Sequence, residues 1–176
     1  RITDGKTRDV HILDELIDLL SLERLEDDLF RGSSRDIGTN RVYGGQVLGQ
    51  ALKAAQDTVE ARAVHSLHAY FLRMGDHHTP IIYEVDRSRD GRSFSSRRVV
   101  AIQHGRPIFT LAASFQHDEE GPEHQIDMPE VPNPDSASKR LIYSQADVHH
   151  MPDKLQRMIH LTAPFEFRTV EPIDLD

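Results

Sequence analysis

Three clusters of residues in this chain are suited to do chemistry. The first is Gly44-Gly45-Gln46, which opens an apolar stretch of helical period. The first amides of a helix have no partner within it and lie at the positive end of its dipole, so they can hold a carbonyl oxygen as it turns negative. Gln46 adds a side-chain amide donor. The same glycines have a plainer use, letting the chain enter a buried helix, and residue types alone do not separate the two. The second cluster is 87–98 (RSRDGRSFSSRR), five arginines against one aspartate. The planar guanidinium fork matches phosphate, which makes Arg92, Arg97 and Arg98 candidates for a phosphorylated ligand such as a nucleotide or coenzyme A. The arginines of a solvated hairpin can equally pair with surplus acids, and strand alternation sends Arg97 and Arg98 to opposite faces. The third cluster is His65 and His68 in VHSLHAYFL. Each can act as a base or hydrogen-bond partner near neutral pH, or simply bond a backbone carbonyl from its strand.

Other chemistries are excluded or disfavoured. Gly44 and Gly49 are followed by Gln50-Ala51 rather than Lys-Ser/Thr, so there is no phosphate-binding P-loop, and neither HExxH nor GxSxG occurs. The eleven histidines do not suggest a metal. Alternation places His65 and His68 on opposite faces, and His77-His78 and His149-His150 are adjacent pairs in loop-like sequence, so no metal or cofactor is expected. The absence of cysteine removes disulfides, thiolate nucleophiles and Cys-based zinc. A net charge of −8 argues against nucleic acid or anionic membrane as partners. No apolar run approaches the roughly 20 residues of a membrane span. The opening RITDGKTRDVHILDEL lacks a signal-peptide core, so a cytoplasmic protein is expected.

The elements that must position these residues can be read from periodicity. The 176 residues suffice for one good domain with an appendage. Val10, Leu13, Leu16, Ile17 and Leu20 recur at helical spacing, with Asp9 available as a cap. Val47, Leu48, Ala51, Leu52 and Ala55 form one stripe and predict a helix over 43–57. Strand composition follows at 64–72, 81–88, 94–103 and 108–116. Asp90-Gly91 and His104-Gly105 suit tight hairpin turns. Glycine inside a helix costs about 1 kcal/mol relative to alanine, so Gly45 and Gly49, one turn apart, suggest a smooth strip against which a sheet presses. A hydrophobic helix followed by an antiparallel meander gives an α+β class with a hot-dog fold, an antiparallel sheet wrapped around a long central helix. The domain is expected over 1–117. Residues 118–135 carry seven acidic residues and four prolines without Lys or Arg, which is linker chemistry. Beyond it, 138–162 is weakly helical and 165–170 strand-like.

In order along the chain, DLFRGSS, YGGQVLGQALKAA, VHSLHAYFLRMGD, YEVDRSRDGRSFSSRRVVAIQHGRPIFTLAASFQ and FEFRTVEP resemble the N-terminal half of the acyl-CoA thioesterase II family. The resemblance covers roughly residues 13–173. Met74 departs from it, standing where a proline is expected, a change expected to touch only the turn. The resemblance implies a tandem double hot-dog protein that hydrolyses fatty acyl-CoA to fatty acid and coenzyme A. Residues 118–176 would then lead to a second hot-dog repeat absent from this chain, and pairing with that repeat or with another copy is implied. The family's Asp, Gln and Ser/Thr set belongs to the second repeat and matches no position here. Only the histidine of VHS, His65, maps as a candidate active-site residue. The peroxisomal matrix is the alternative compartment. Two rivals remain: a non-catalytic acyl-CoA-binding or assembly module, and a hot-dog hydratase or dehydratase. The latter needs an Asp/His pair; Asp36 precedes the helix but no histidine lies within it.

Overall fold

The chain divides into two units, Arg1–Glu119 and Glu120–Asp176. In this computed structural model residues 5–35 and 41–133 are described, with side chains from residue 13 onward. Asp36, His149-His150 and the elements expected over 138–162 and 165–170 lie outside the described residues. Of the second unit, 120–133 is exposed and without regular structure, as its prolines and like charges dictate. No described helix is long and apolar enough to cross a membrane.

The first unit runs α1 (Gly5–Leu20), β1 (Glu23–Glu26), β2 (Leu29–Gly32), α2 (Gly44–Gln56), β3 (Ala63–Phe71), β4 (Ile81–Asp90), β5 (Phe94–Gln103) and β6 (Arg106–Gln116). The strands form one antiparallel sheet in the order β1-β2-β4-β5-β6-β3. Of the four strands expected to run as a meander, β4, β5 and β6 do, whereas β3 pairs with β6 rather than with β4. Helix α2 packs on one face of the sheet. The hairpin β1–β2 has no counterpart in the periodicity, because four residues such as ERLE are too few and too charged to show alternation. Asp9 lies within α1, which begins a turn earlier than the expected cap.

The two hairpin turns differ. His104 and Gly105 have φ of 50° and 70°, the left-handed pair that a two-residue turn between twisted strands demands. Asp90-Gly91 is not such a turn. Gly91 is absent from the left-handed region, and 91–93 form a longer loop closed by Gly91 N–H donating to the Phe94 carbonyl at 2.8 Å. Asp90 stays in β4 because its carboxylate accepts from Ser95 and Arg97, both in β5.

Helix α2 buries Gln46, Val47, Gln50, Ala51, Ala54 and Ala55 against a sheet face of Phe30, Ile81, Tyr83, Val99, Phe109, Leu111 and Phe115. The small surface that lets the sheet come close is alanine, not the expected glycine strip. A Cβ on Gly49 would meet Leu20 of α1 at 2.9 Å, and one on Gly45 would meet the Tyr43 ring at 2.5 Å. Gly49 therefore makes room for the end of α1. Gln50 is fully buried and satisfied. Its Oε1 accepts from the Tyr83 hydroxyl at 2.7 Å, and its Nε2 donates to the carbonyls of Ser33 at 2.9 Å and Leu19 at 2.5 Å. Burial pushes the Tyr83 phenol well above its usual range, which keeps it a neutral donor.

Candidate active site

A cleft of about 410 Å³ opens at the N-terminal end of α2. Three segments build it: Arg41 to Val47, Phe71 to Gly75, and Ile108. Its wall is apolar (Val42, Val47, Phe71, Leu72, Met74, Ile108), with Arg41 and Arg73 adding positive charge. Gly44 lines it at the helix start. A Cβ there would stand 3.0 Å from Phe71 Cε1, so the bare backbone is what lets the ring lie over the first turn. Phe71 is held in turn by edge-to-face contact with Phe109, centroids 5.0 Å apart. Tyr43 is the N-cap but offers no side-chain bond. Only its carbonyl closes the turn, accepting from Gln46 and Val47 N–H at 3.1 and 3.3 Å.

Hydrogen bonds tie the segments together. Val42 N–H donates to the Gly75 carbonyl, and the amides of Leu72 and Arg73 both donate to Ile108 O. Arg73 Nη1 reaches the Pro107 carbonyl at 2.6 Å. Beneath the rim, buried Gln103 donates to the carbonyls of Asp76 and Thr79 and accepts from Asp76 N–H. Met74, the departure from the expected proline, does more than shape the turn, because it contributes to the cleft wall.

The candidates from sequence do not all gather here. Gly44 lines the cleft, and Gly45 and Gln46 share its helical turn. The Gln46 amide, however, turns inward, donating to the Ser33 carbonyl and Ser34 Oγ and accepting from Arg35 N–H. The arginines lie elsewhere. Arg92 sits in the β4–β5 loop, nearly the length of β5, roughly 30 Å, from Ile108, and Arg98 lies on the outer sheet face, paired with Ala112 in β6. Arg97 is 2% exposed. Its guanidinium donates to Thr58 Oγ1 at 2.7 Å, to the Thr58 carbonyl at 2.9 Å, to Asp90 Oδ1 at 2.8 Å and to the carbonyls of Arg89 and Ser96. It fastens the C-terminal end of α2 to the sheet, where a cation also suits the helix dipole. Arg41 and Arg73 went unsuspected. They flank α2 and β3 singly, and no spacing links segments that meet only in the fold.

His65 is placed by a bulge. The β3–β6 register shifts between Val64 and Ser66, so His65 is the extra residue of a bulge on the outer face and the facing of the strand beyond it is inverted. There its Nε2 hydrogen-bonds with Ser114 Oγ at 2.8 Å and its ring meets Phe94 edge-on at 5.6 Å. His68, paired with Ala112, shares that face, so regular alternation misplaced the two histidines. Six residues of extended chain, roughly 20 Å, separate His65 from Phe71 and the cleft.

Two carboxylates tie the fold to pH. The Ser95 hydroxyl and then Arg97 hold Asp90 below the usual carboxylate range, and the His78 backbone N–H and then the Thr79 hydroxyl do so for Asp76. Groups whose folded pKa is depressed contribute stability above the unfolded value of about 4, and that stability is lost as pH falls through the folded value. The urea midpoint is therefore expected to hold from pH 7 to about 5 and drop below 4. Asp90→Asn should lower the plateau and flatten the drop; an unchanged acid limb in that variant would contradict the assignment.

Comparison with known proteins agrees with this architecture. The model for the acyl-CoA thioesterase N-terminal domain matches residues 31–116. Acyl-CoA thioesterase 2 of Haemophilus influenzae is 46% identical over 159 residues, covering 90% of this chain and 56% of that protein. The chain belongs to the acyl-CoA thioesterase II family. Human acyl-coenzyme A thioesterase 8 is 51% identical over 119 residues, 66% of this chain and 37% of that one. Among solved structures, the tesB protein of Mycobacterium avium subspecies paratuberculosis superposes with a TM-score of 0.68 at 38% identity, covering 71% of this chain and 50% of its own. The chain spans about half the length of the curated relatives it matches. Residues 31–116 thus match the N-terminal domain of that family, and α2 is the central helix of the hot-dog fold.

Proposed function

We propose that this chain is the first hot-dog half of an enzyme that hydrolyses fatty acyl-CoA thioesters to free fatty acid and coenzyme A. The observation that carries the reading is the apolar cleft ending at the N-terminus of α2. A thioester carbonyl is electrophilic and its thiolate leaves readily, so hydrolysis needs a placed water, a base and donors for the oxyanion. Water adds to the carbonyl carbon, the C–S bond breaks, and the proton taken up by the base passes to the departing sulfur. Gly44 and Gly45 would offer backbone donors, the apolar wall would take the acyl chain, and Arg41 and Arg73 suit coenzyme A phosphates better than Arg92, Arg97 or Arg98.

The described lining contains no carboxylate and no histidine, so the base is assigned to a second hot-dog repeat. Strand β3 supports that pairing. It is a sheet edge, and Leu67, Tyr70, Phe71 and Leu72 at its end are exposed. An open apolar edge of this length calls for a partner, either the second repeat or another copy of the chain. His65 on that edge is assigned an indirect role. The cytoplasm is the assigned compartment, with the peroxisomal matrix as the alternative.

Gly44→Leu in the two-repeat protein tests the cleft. The new side chain must displace Phe71 and fill the site, so thioester cleavage is expected to fall roughly tenfold or more with little change in unfolding midpoint. Full activity would remove the cleft from the reaction. The missing base also favours a second reading, a non-catalytic acyl-CoA-binding module. In that case the two-repeat protein would bind acyl-CoA without cleaving it.

A further inference from the structure

The turn after β3 carries a donor cluster that the hydrolysis does not use. Asp76, His77 and His78 can each bring a ligand atom within 4.8 Å of the others. Adjacent residues in a strand point apart, but a turn lifts that constraint, and here the two imidazoles lie side by side with centroids 3.9 Å apart and planes tilted by 41°. A fourth donor comes from the neighbouring hairpin, where His104 places Nε2 3.5 Å from Asp76 Oδ2. His104 stands in the turn of that hairpin, with φ of 50°.

The backbone beneath this cluster is already fixed. Gln103 grips the turn at Asp76 and Thr79, and the Asp76 carboxylate is oriented by His78 N–H and Thr79 Oγ1, each at 2.9 Å. Each carboxylate oxygen retains acceptor capacity. Little ordering is needed to bring the side chains together, which is where binding sites usually lose affinity. Imidazoles with one carboxylate suit zinc and its neighbours among the first-row divalent ions. Calcium and magnesium, which want shells of oxygen, are poorly served.

We propose that Asp76, His77 and His78, with His104 opposite, form a binding site for a zinc-class divalent ion. The site adjoins Gly75 in the cleft rim, so a bound ion would brace the rim without touching the wall. It stands apart from the proposed hydrolysis and holds even if that reading fails.

The test is zinc titration of the tag-free 176-residue chain in competition with a chromophoric indicator. One equivalent is expected to bind and to raise the unfolding midpoint. The double variant His77→Gln/His78→Gln should weaken binding roughly tenfold or more, and His104→Gln by a smaller factor. Asp76 is left in place because it also shapes the turn, and circular dichroism checks that the variants fold. The proposal is overturned if the wild-type chain takes up no zinc. It is equally overturned if the double variant binds as tightly as wild type, since the ion would then sit on other histidines.

Discussion

Gln50→Ala is expected to lower stability by about 4 kcal/mol, a large share of what a domain of this size possesses. Three partners lose their bonds at once: the Tyr83 hydroxyl, the Ser33 carbonyl and the Leu19 carbonyl. The site is fully buried, so water cannot replace the lost amide without entering the core, and a cavity is added to the polar loss. Two further variants separate these contributions. Gln50→Leu restores most of the volume yet leaves the polar groups unpaired, and about 2–3 kcal/mol of the loss should remain. Tyr83→Phe removes one bond and should cost about 1–2 kcal/mol. Urea unfolding of the three variants reads these differences directly. A Gln50→Leu protein as stable as wild type would show that packing, not hydrogen bonding, explains the buried amide.

Arg97→Ala should cost about 3 kcal/mol by the same measurement. The buried guanidinium holds the Thr58 hydroxyl and carbonyl, the Asp90 carboxylate and two strand carbonyls. Removing it frees the C-terminal end of α2 and leaves the Thr58 carbonyl without its donor. Arg97→Lys should recover only part of the loss, since one ammonium cannot span acceptors on both elements. The alternative role, a contact with a ligand phosphate, makes a different prediction. In that case Arg97→Ala would weaken acyl-CoA binding while the urea midpoint stayed put.

The central helix was legible from its period, and the strands from their composition and the turn dipeptides between them. Phe94–Gln103 does not alternate in residue type and was legible from its aromatic and β-branched residues, while Val47, Ala51 and Ala55 mark the buried stripe of α2. What escaped was decided by single residues or by contacts between segments. One inserted residue at His65 inverts the facing of the rest of β3, and composition carries no trace of it. Arg97 reads as a phosphate ligand when counted with its neighbours; its burial against Thr58 depends on where α2 ends. The cleft was only half legible. Gly44 announced the helix start, whereas Phe71, Arg73 and Ile108 reach it by way of β3 and the β5–β6 turn, and no local pattern joins them. The buried amides Gln46, Gln50 and Gln103 look like surface residues until their backbone partners are placed.

The central claim is that this domain supplies the cleft and helix terminus of a thioesterase whose base comes from a second repeat. It is tested most directly by following free thiol released from a fatty acyl-CoA, with this chain alone and with a chain that carries both repeats. Because a general base contributes roughly a hundredfold or more, the two-repeat protein should cleave at least that much faster than the single domain. Equal rates from the two, or no cleavage by the two-repeat protein, would contradict it.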